Sequence, residues 1–207
     1  MVYRKTKATQ ERKEARRRLL LDAATKLFGK FGYHATTVPM IVAEAESSTG
    51  SFYMYFRNKE EVFNAVLEGL GRELALVMDE MKNSQPDALK RMSQGAETLF
   101  MFLAENPEQA RILLVESSGL SQRLEKTRRS ILLEQEEQVR QIFESAPSLF
   151  SVESTAVAAR CVVGAAFEAA YCWLEEDPKT RMPATDVAGA VARFNTQAVR
   201  RAPAQRK

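Results

Sequence analysis

Residues 36–63 read TTVPMIVAEAESSTGSFYMYFRNKEEVF, and this stretch decides the fold. Thr36 and Thr37 precede an apolar run. Pro39 is tolerated in a first helical turn, where its missing N–H costs nothing. A short helix is therefore expected from Val38 to about Ala45. Ser47–Ser48 breaks it, and Ser48 or Thr49 can cap a second short helix running to about Tyr55. Phe52 and Phe56 lie four apart on one face of that helix; they anchor it on a core and leave Tyr53 and Tyr55 to point outward. Asn58 followed by Glu61 reads as a capping pair that opens a long helix to about Met81.

Upstream, Leu19, Leu20, Ala23, Ala24, Leu27, Phe28 and Phe31 recur at spacings of three and four, so a helix is expected from about Glu11, with Gly32 at its end. Residues 1–35 hold ten Lys/Arg against Glu11, Glu14 and Asp22, a net of +7. The whole chain carries only +3, so residues 36–207 carry −4. A basic segment on a mildly acidic body calls for an anionic partner at the N-terminus alone, nucleic acid or a membrane surface. Two short helices joined by a small-residue turn behind a basic helix form a helix-turn-helix layout. The free N–H groups at the start of the second helix favour an anion such as phosphate, and small hydroxyl residues let DNA come close. The same residues also fit an amphipathic connector whose hydroxyls only cap.

The remaining composition bounds the answer. The chain has 207 residues, 45% hydrophobic and 28% charged, the balance of a folded chain. Only nine Gly and seven Pro interrupt it, which favours an all-α protein. Further helices are expected from Pro86 to about Ala104 and over 119–144, 153–175 and 186–199, with a short apolar segment at 107–116, for about nine in total. Cys161 and Cys172 form no CxxC pair and His34 is the one histidine, so neither a metal site nor a cofactor is expected. Both thiols are expected to be buried in a reducing cytoplasm. No signal-like leader and no apolar run of about 20 residues is read, so no membrane partner is expected. A Gly-rich phosphate loop and a nucleophile paired with a base are both missing, which argues against an enzyme.

In the body, Ala156, Ala159, Val163, Ala166 and Ala170 form a small-residue stripe. It suits either an intramolecular core or, together with 186–199, a close-packed four-helix dimer interface. Aromatic and Met residues between 63 and 173 supply the core, and some of them an apolar pocket. Glu168, inside the most apolar helix, is either a partner for a polar ligand group or an exposed edge.

The segments LLDAATKLFGKFGYHATTVPMIVAEA and STGSFYMYFRNKEEVF resemble the N-terminal domain of the TetR family of transcriptional regulators over about residues 16–63. The resemblance implies a helix-turn-helix DNA-binding domain at 1–56, with a basic arm at Arg4, Lys5 and Lys7, and an effector-binding and dimerisation domain at 57–207. It implies DNA contacts from Thr37, Ser48, Thr49, Gly50, Ser51, Tyr53, Tyr55 and Lys59, with Tyr33 packed between helices. It selects the dimer reading for the stripe Ala159, Val163, Ala166 and Ala170; by residue type and position, Phe100, Phe167, Glu168 and Tyr171 are the candidate lining of an effector pocket. The expected function is that of a homodimeric repressor, released from a pseudo-palindromic operator by a largely apolar small molecule. The alternative is a structural or adaptor DNA-binding protein without an effector. Two departures stand out: Glu46 and Ser47 occupy turn positions where the family usually has Gly and an aliphatic residue. Glu46 must then take a backbone shape that Gly takes easily.

Overall fold

Leu20, Ala23, Ala24, Leu27 and Phe28 are buried along α1 (Lys7–Ala35) in the computed structural model, which describes residues 7–200. Arg4 and Lys5 of the expected basic arm lie outside the described residues, as does the side chain of Lys7. Gly32, at φ 80° and ψ 169°, breaks α1 close to its end. That backbone shape is open to glycine alone, and a Cβ there would also meet the Glu116 carboxylate at 2.9 Å.

The predicted caps form. Thr37 opens α2 (Val38–Glu44), accepting from the Met40 N–H at 3.4 Å. Ser48 opens α3 (Thr49–Tyr53), accepting from the Ser51 N–H at 3.1 Å. Asn58 opens α4 (Lys59–Ser84), accepting from the Glu61 N–H at 2.9 Å, while Glu61 accepts from the Arg57 N–H at 2.7 Å. Each cap satisfies a donor that helix geometry would otherwise orphan, for about 1 kcal/mol. Glu46 joins α2 to α3 at φ 45°, the strained position expected from its replacing glycine.

The body follows as α5 (Ala88–Glu105), α6 (Pro107–Arg111), α7 (Gln122–Ser145), α8 (Thr155–Glu175) and α9 (Ala184–Val199). Among the described residues this makes nine α-helices and no strand. The short apolar segment expected at 107–116 splits into α6 and a π-helical turn, Ile112–Glu116. α6 packs on α1 so closely that a Cβ on Gly29 would lie 2.5 Å from the Cβ of Glu108 and 2.8 Å from its carbonyl oxygen.

α8 departs from the sequence expectations twice. It is long and apolar enough to cross a membrane by length and composition, because Ala, Val and Cys dominate it. Its inward face is packed under α7 and α9, with Ala159 and Ala170 at 1% and 0% exposure. Cys161 and Cys172, expected to be buried, are both exposed. They stand eleven residues apart, close to three full turns, and so share the outward face.

Candidate nucleic-acid interface and internal cavity

The helix-turn-helix end is held by aromatic packing. Phe52 and Phe56 are buried at 0% and 2% exposure with their rings 5.7 Å apart. Complete burial of a Phe side chain stabilises by about 2–3 kcal/mol, enough to seat a five-residue helix that could not form alone. Opposite that anchor, Ser48, Thr49, Gly50, Tyr53 and Met54 are exposed. A Cβ on Gly50 would meet nothing within 4 Å. The protein's own packing therefore does not require a glycine here.

Two of the residues expected on this surface behave differently. Ser51 is buried, because its position in α3 is shared with the Phe52 side and its N–H is bound by Ser48. Tyr55 is half-buried against the core, with the Lys13 ammonium 6.0 Å from its ring centre. Thr37 is exposed, and its hydroxyl is engaged as the cap of α2.

Lys59 is also placed otherwise than expected. Its ammonium donates to the carbonyls of Tyr33 at 2.7 Å, Thr36 at 2.9 Å and His34 at 3.3 Å. It also sits 4.3 Å from the Tyr33 ring centre. An ammonium has three donors, and all three are spent on the end of α1. Burial pushes its pKa below the usual lysine value. Lys59 thus ties the start of α4 to the end of α1, and a direct phosphate contact requires one of these bonds to exchange. Tyr33 packs between helices as expected, on Phe28 and Phe63. The Tyr33 N–H donates to the Glu116 carboxylate at 2.9 Å, so the π-helical turn also holds the end of α1. No sequence pattern announced that bond, which spans 83 residues.

The second feature is a small cavity walled by α4, α5, α7, α8 and Asn195 of α9, with room of about 50 Å³ for a water-sized sphere and an opening to solvent. Met78, Met81, Met92, Leu99, Ile142 and Phe167 supply much of its apolar wall. Of the four residues assigned to a pocket from sequence, only Phe167 lines it. Phe100 is fully buried on the other side of α5, 6.0 Å from the Trp173 ring. Glu168 and Tyr171 are exposed on the outward face of α8. The expected dimer stripe fails for the complementary reason. Ala159, Val163, Ala166 and Ala170 face the chain's own interior, and Val163 and Ala166 line the cavity.

The polar lining was missed. Gln135 is 3% exposed, and its side-chain NH2 has no hydrogen-bond partner. The Arg91 Nε–H is likewise buried without one, while its Nη2 donates to the Ser145 hydroxyl at 3.0 Å. A buried donor left unpaired costs about 1–3 kcal/mol. Asn195 donates to the Val162 carbonyl at 3.2 Å. A signal for Gln135 and Asn195 did exist. Each interrupts an apolar stripe at four-residue spacing, Ile131–Gln135–Val139 on α7 and Val191–Asn195–Val199 on α9. Arg91 carries no such signal.

A sequence profile described as "Bacterial regulatory proteins, tetR family" matches residues 20–66. The uncharacterized HTH-type transcriptional regulator YhgD of Bacillus subtilis (strain 168) is 42% identical over 72 residues, 34% of this chain and 38% of that protein. The chain spans about a third to a half of the length of the curated relatives it matches first. Among solved structures, the transcriptional regulator FadR from Bacillus subtilis in complex with stearoyl-CoA aligns with a TM-score of 0.77 at 18% identity, covering 86% of this chain and 97% of that one. A SmeT–triclosan complex aligns with a TM-score of 0.76 at 20% identity, covering 90% and 92%. At these identities the structural likeness shows the fold.

Proposed function

We propose, from the premise that the chain belongs to the TetR family of bacterial regulatory proteins, that it is a homodimeric repressor released from DNA by a small molecule held in the cavity. The observation that carries the reading is α3, a capped helix seated on Phe52 and Phe56 that displays Ser48, Thr49, Gly50 and Tyr53 outward. Thr37 and Tyr55 flank that surface, and Arg12, Arg16 and Arg17 stand exposed along α1. These positions suit a recognition helix in a major groove, with cations over the flanking phosphates. Residues 1–56 form the DNA-binding part and 57–207 the effector and dimer part.

α4 joins the two ends. Its first residue, Lys59, grips the end of α1, and Met78, Met81 and Lys82 in its last turns line the cavity. Nineteen residues of helix separate Lys59 from Met78, roughly 28 Å. A ligand that pushes on the two Met residues moves α4, and Lys59 passes that movement to α1. An effector does this only if it binds the DNA-incompetent form more tightly. The cavity favours this reading over a structural DNA-binding protein without an effector, and the stearoyl-CoA of the FadR complex and the triclosan of the SmeT complex fit it. For dimerisation, the outward faces of α8 and α9 replace the inward stripe, since Val157 and Phe194 are 57% and 64% exposed there. Gly164, on the same face of α8, has open space around it.

Selection of bound DNA from a random pool tests the proposal. The expected product is a pseudo-palindrome whose half-site centres lie roughly 34–36 Å apart or at a multiple of one helical turn. A ligand with typical coupling then weakens the complex about 5- to 150-fold. Recovery of no common sequence would overturn the DNA-binding reading. A selected site that no apolar acid, alcohol, aromatic or cationic dye can loosen would leave the structural alternative.

A further inference from the structure

We propose that the cavity selects an apolar chain ending in a carboxylate, and that Arg91 and Gln135 hold that head. This inference rests on the reading of the cavity as the effector site. Three observations carry it. The wall is mostly hydrocarbon and thioether, which suits an alkyl or aryl chain. The charged residues that line the cavity are Lys82 and Arg91, both cations, and no Asp or Glu lines it. The two lining polar atoms that are buried without a partner, Arg91 Nε and Gln135 Nε2, are both donors.

The two cations are not equivalent. Lys82 is partly neutralised by Asp79 at 3.0 Å and donates to the Gln141 side chain at 3.3 Å. Among the described residues no carboxylate pairs with Arg91, and its one side-chain hydrogen bond goes to the neutral Ser145 hydroxyl. Arg91 therefore brings a full positive charge and an unused N–H to the cavity. Gln135, 3% exposed on α7, brings a second donor from across it. A carboxylate accepts from both and balances the guanidinium charge. A hydroxyl head accepts, but it leaves the charge unmatched. A quaternary ammonium head accepts nothing and meets the unpaired Arg91 charge beside the partly neutralised Lys82. Selectivity at this site thus comes from the head, with the wall tolerant of different tails.

The test holds the tail constant and varies the head. The 207-residue chain, without DNA, is titrated calorimetrically with dodecanoate, dodecanol and dodecyltrimethylammonium, each below its micellar concentration. Dodecanoate should bind at least tenfold more tightly than dodecanol, and the ammonium compound most weakly. Arg91→Met should weaken dodecanoate about 10- to 100-fold and leave dodecanol within about twofold. Gln135→Leu should weaken dodecanoate less and should keep or raise thermal stability, since it removes an unpaired donor. If Arg91→Met does not fold, the head series on the native chain decides alone. Equal affinity for the three heads, no binding of dodecanoate, or dodecanoate affinity unchanged in Arg91→Met overturns the inference. Head-selective binding that leaves the operator complex intact refutes the repressor switch and spares this site assignment. Operator release by a cationic or uncharged compound that occupies the cavity refutes this assignment and spares the switch.

Discussion

Two runs of small residues behave in opposite ways in this molecule. Ser48, Thr49 and Gly50 stand exposed at the start of α3, and a Cβ on Gly50 would meet open space. Ala159, Ala166 and Ala170 on α8 lie against the chain's own core at 8% exposure or less. On α8 the small residues let the chain's own helices approach closely, whereas at α3 the proposed reading has DNA as the approaching body. Capping chemistry distinguishes the cases. Ser48 must sit at a helix start with a surface beyond it, because its side chain serves the first turn and the helix runs away from it. The Ala stripe has periodicity only, which gives a helix two faces without saying what covers each.

Charge placed in the two runs breaks the comparison most forcefully. Ala170→Arg would bury an unpaired guanidinium at a position with no exposed surface. Its expected cost is on the order of 3–5 kcal/mol, read as a collapse of the thermal unfolding midpoint. A variant that stays folded and merely loses its partner would return the stripe to a dimer interface. Next in size is Gly29→Ala, where the new methyl meets the Glu108 backbone inside the α1–α6 contact. Overpacking of this kind costs about 1–3 kcal/mol by denaturant titration. An unchanged midpoint would show that α1 and α6 can part freely, and with them one route between the two ends of the molecule.

The outward face of α8 and α9 sharpens the same comparison with a smaller effect on folding. Phe194→Asp replaces a side chain that is 64% exposed, so monomer stability should change by less than about 0.5 kcal/mol. Sedimentation should nevertheless show the mass halved. A dimer of undiminished mass would place the interface elsewhere.

Legibility followed the range of the signal. The caps at Thr37, Ser48 and Asn58 and the Phe52–Phe56 anchor each depend on residues within four positions, and sequence reading found them; the strained turn at Glu46 was expected from its departure from the family pattern. The family resemblance put Lys59 at the DNA; the three carbonyls that hold it come from 23 to 26 residues away. The cavity is assembled from five helices, so neither Arg91 nor the exclusion of Phe100 could be read from local pattern. Gln135 and Asn195 were visible as polar breaks in apolar stripes and would have pointed inward correctly. The exposed thiols of Cys161 and Cys172 show the limit of assigning burial from residue type when a helix has two apolar faces.

Gly50→Val tests the central claim, that the outward surface of α3 reads DNA, most directly. Valine adds two methyl groups and a Cβ into space that the protein leaves open, and its helix propensity is no worse than that of glycine. The thermal midpoint should therefore hold or rise slightly. Fluorescence anisotropy with the selected operator should show binding weakened about 10- to 100-fold, the worth of one close base-edge contact. Operator affinity equal to that of the native chain, at equal stability, would mean that nothing approaches Gly50, and that α3 is a connector whose hydroxyls serve only as caps.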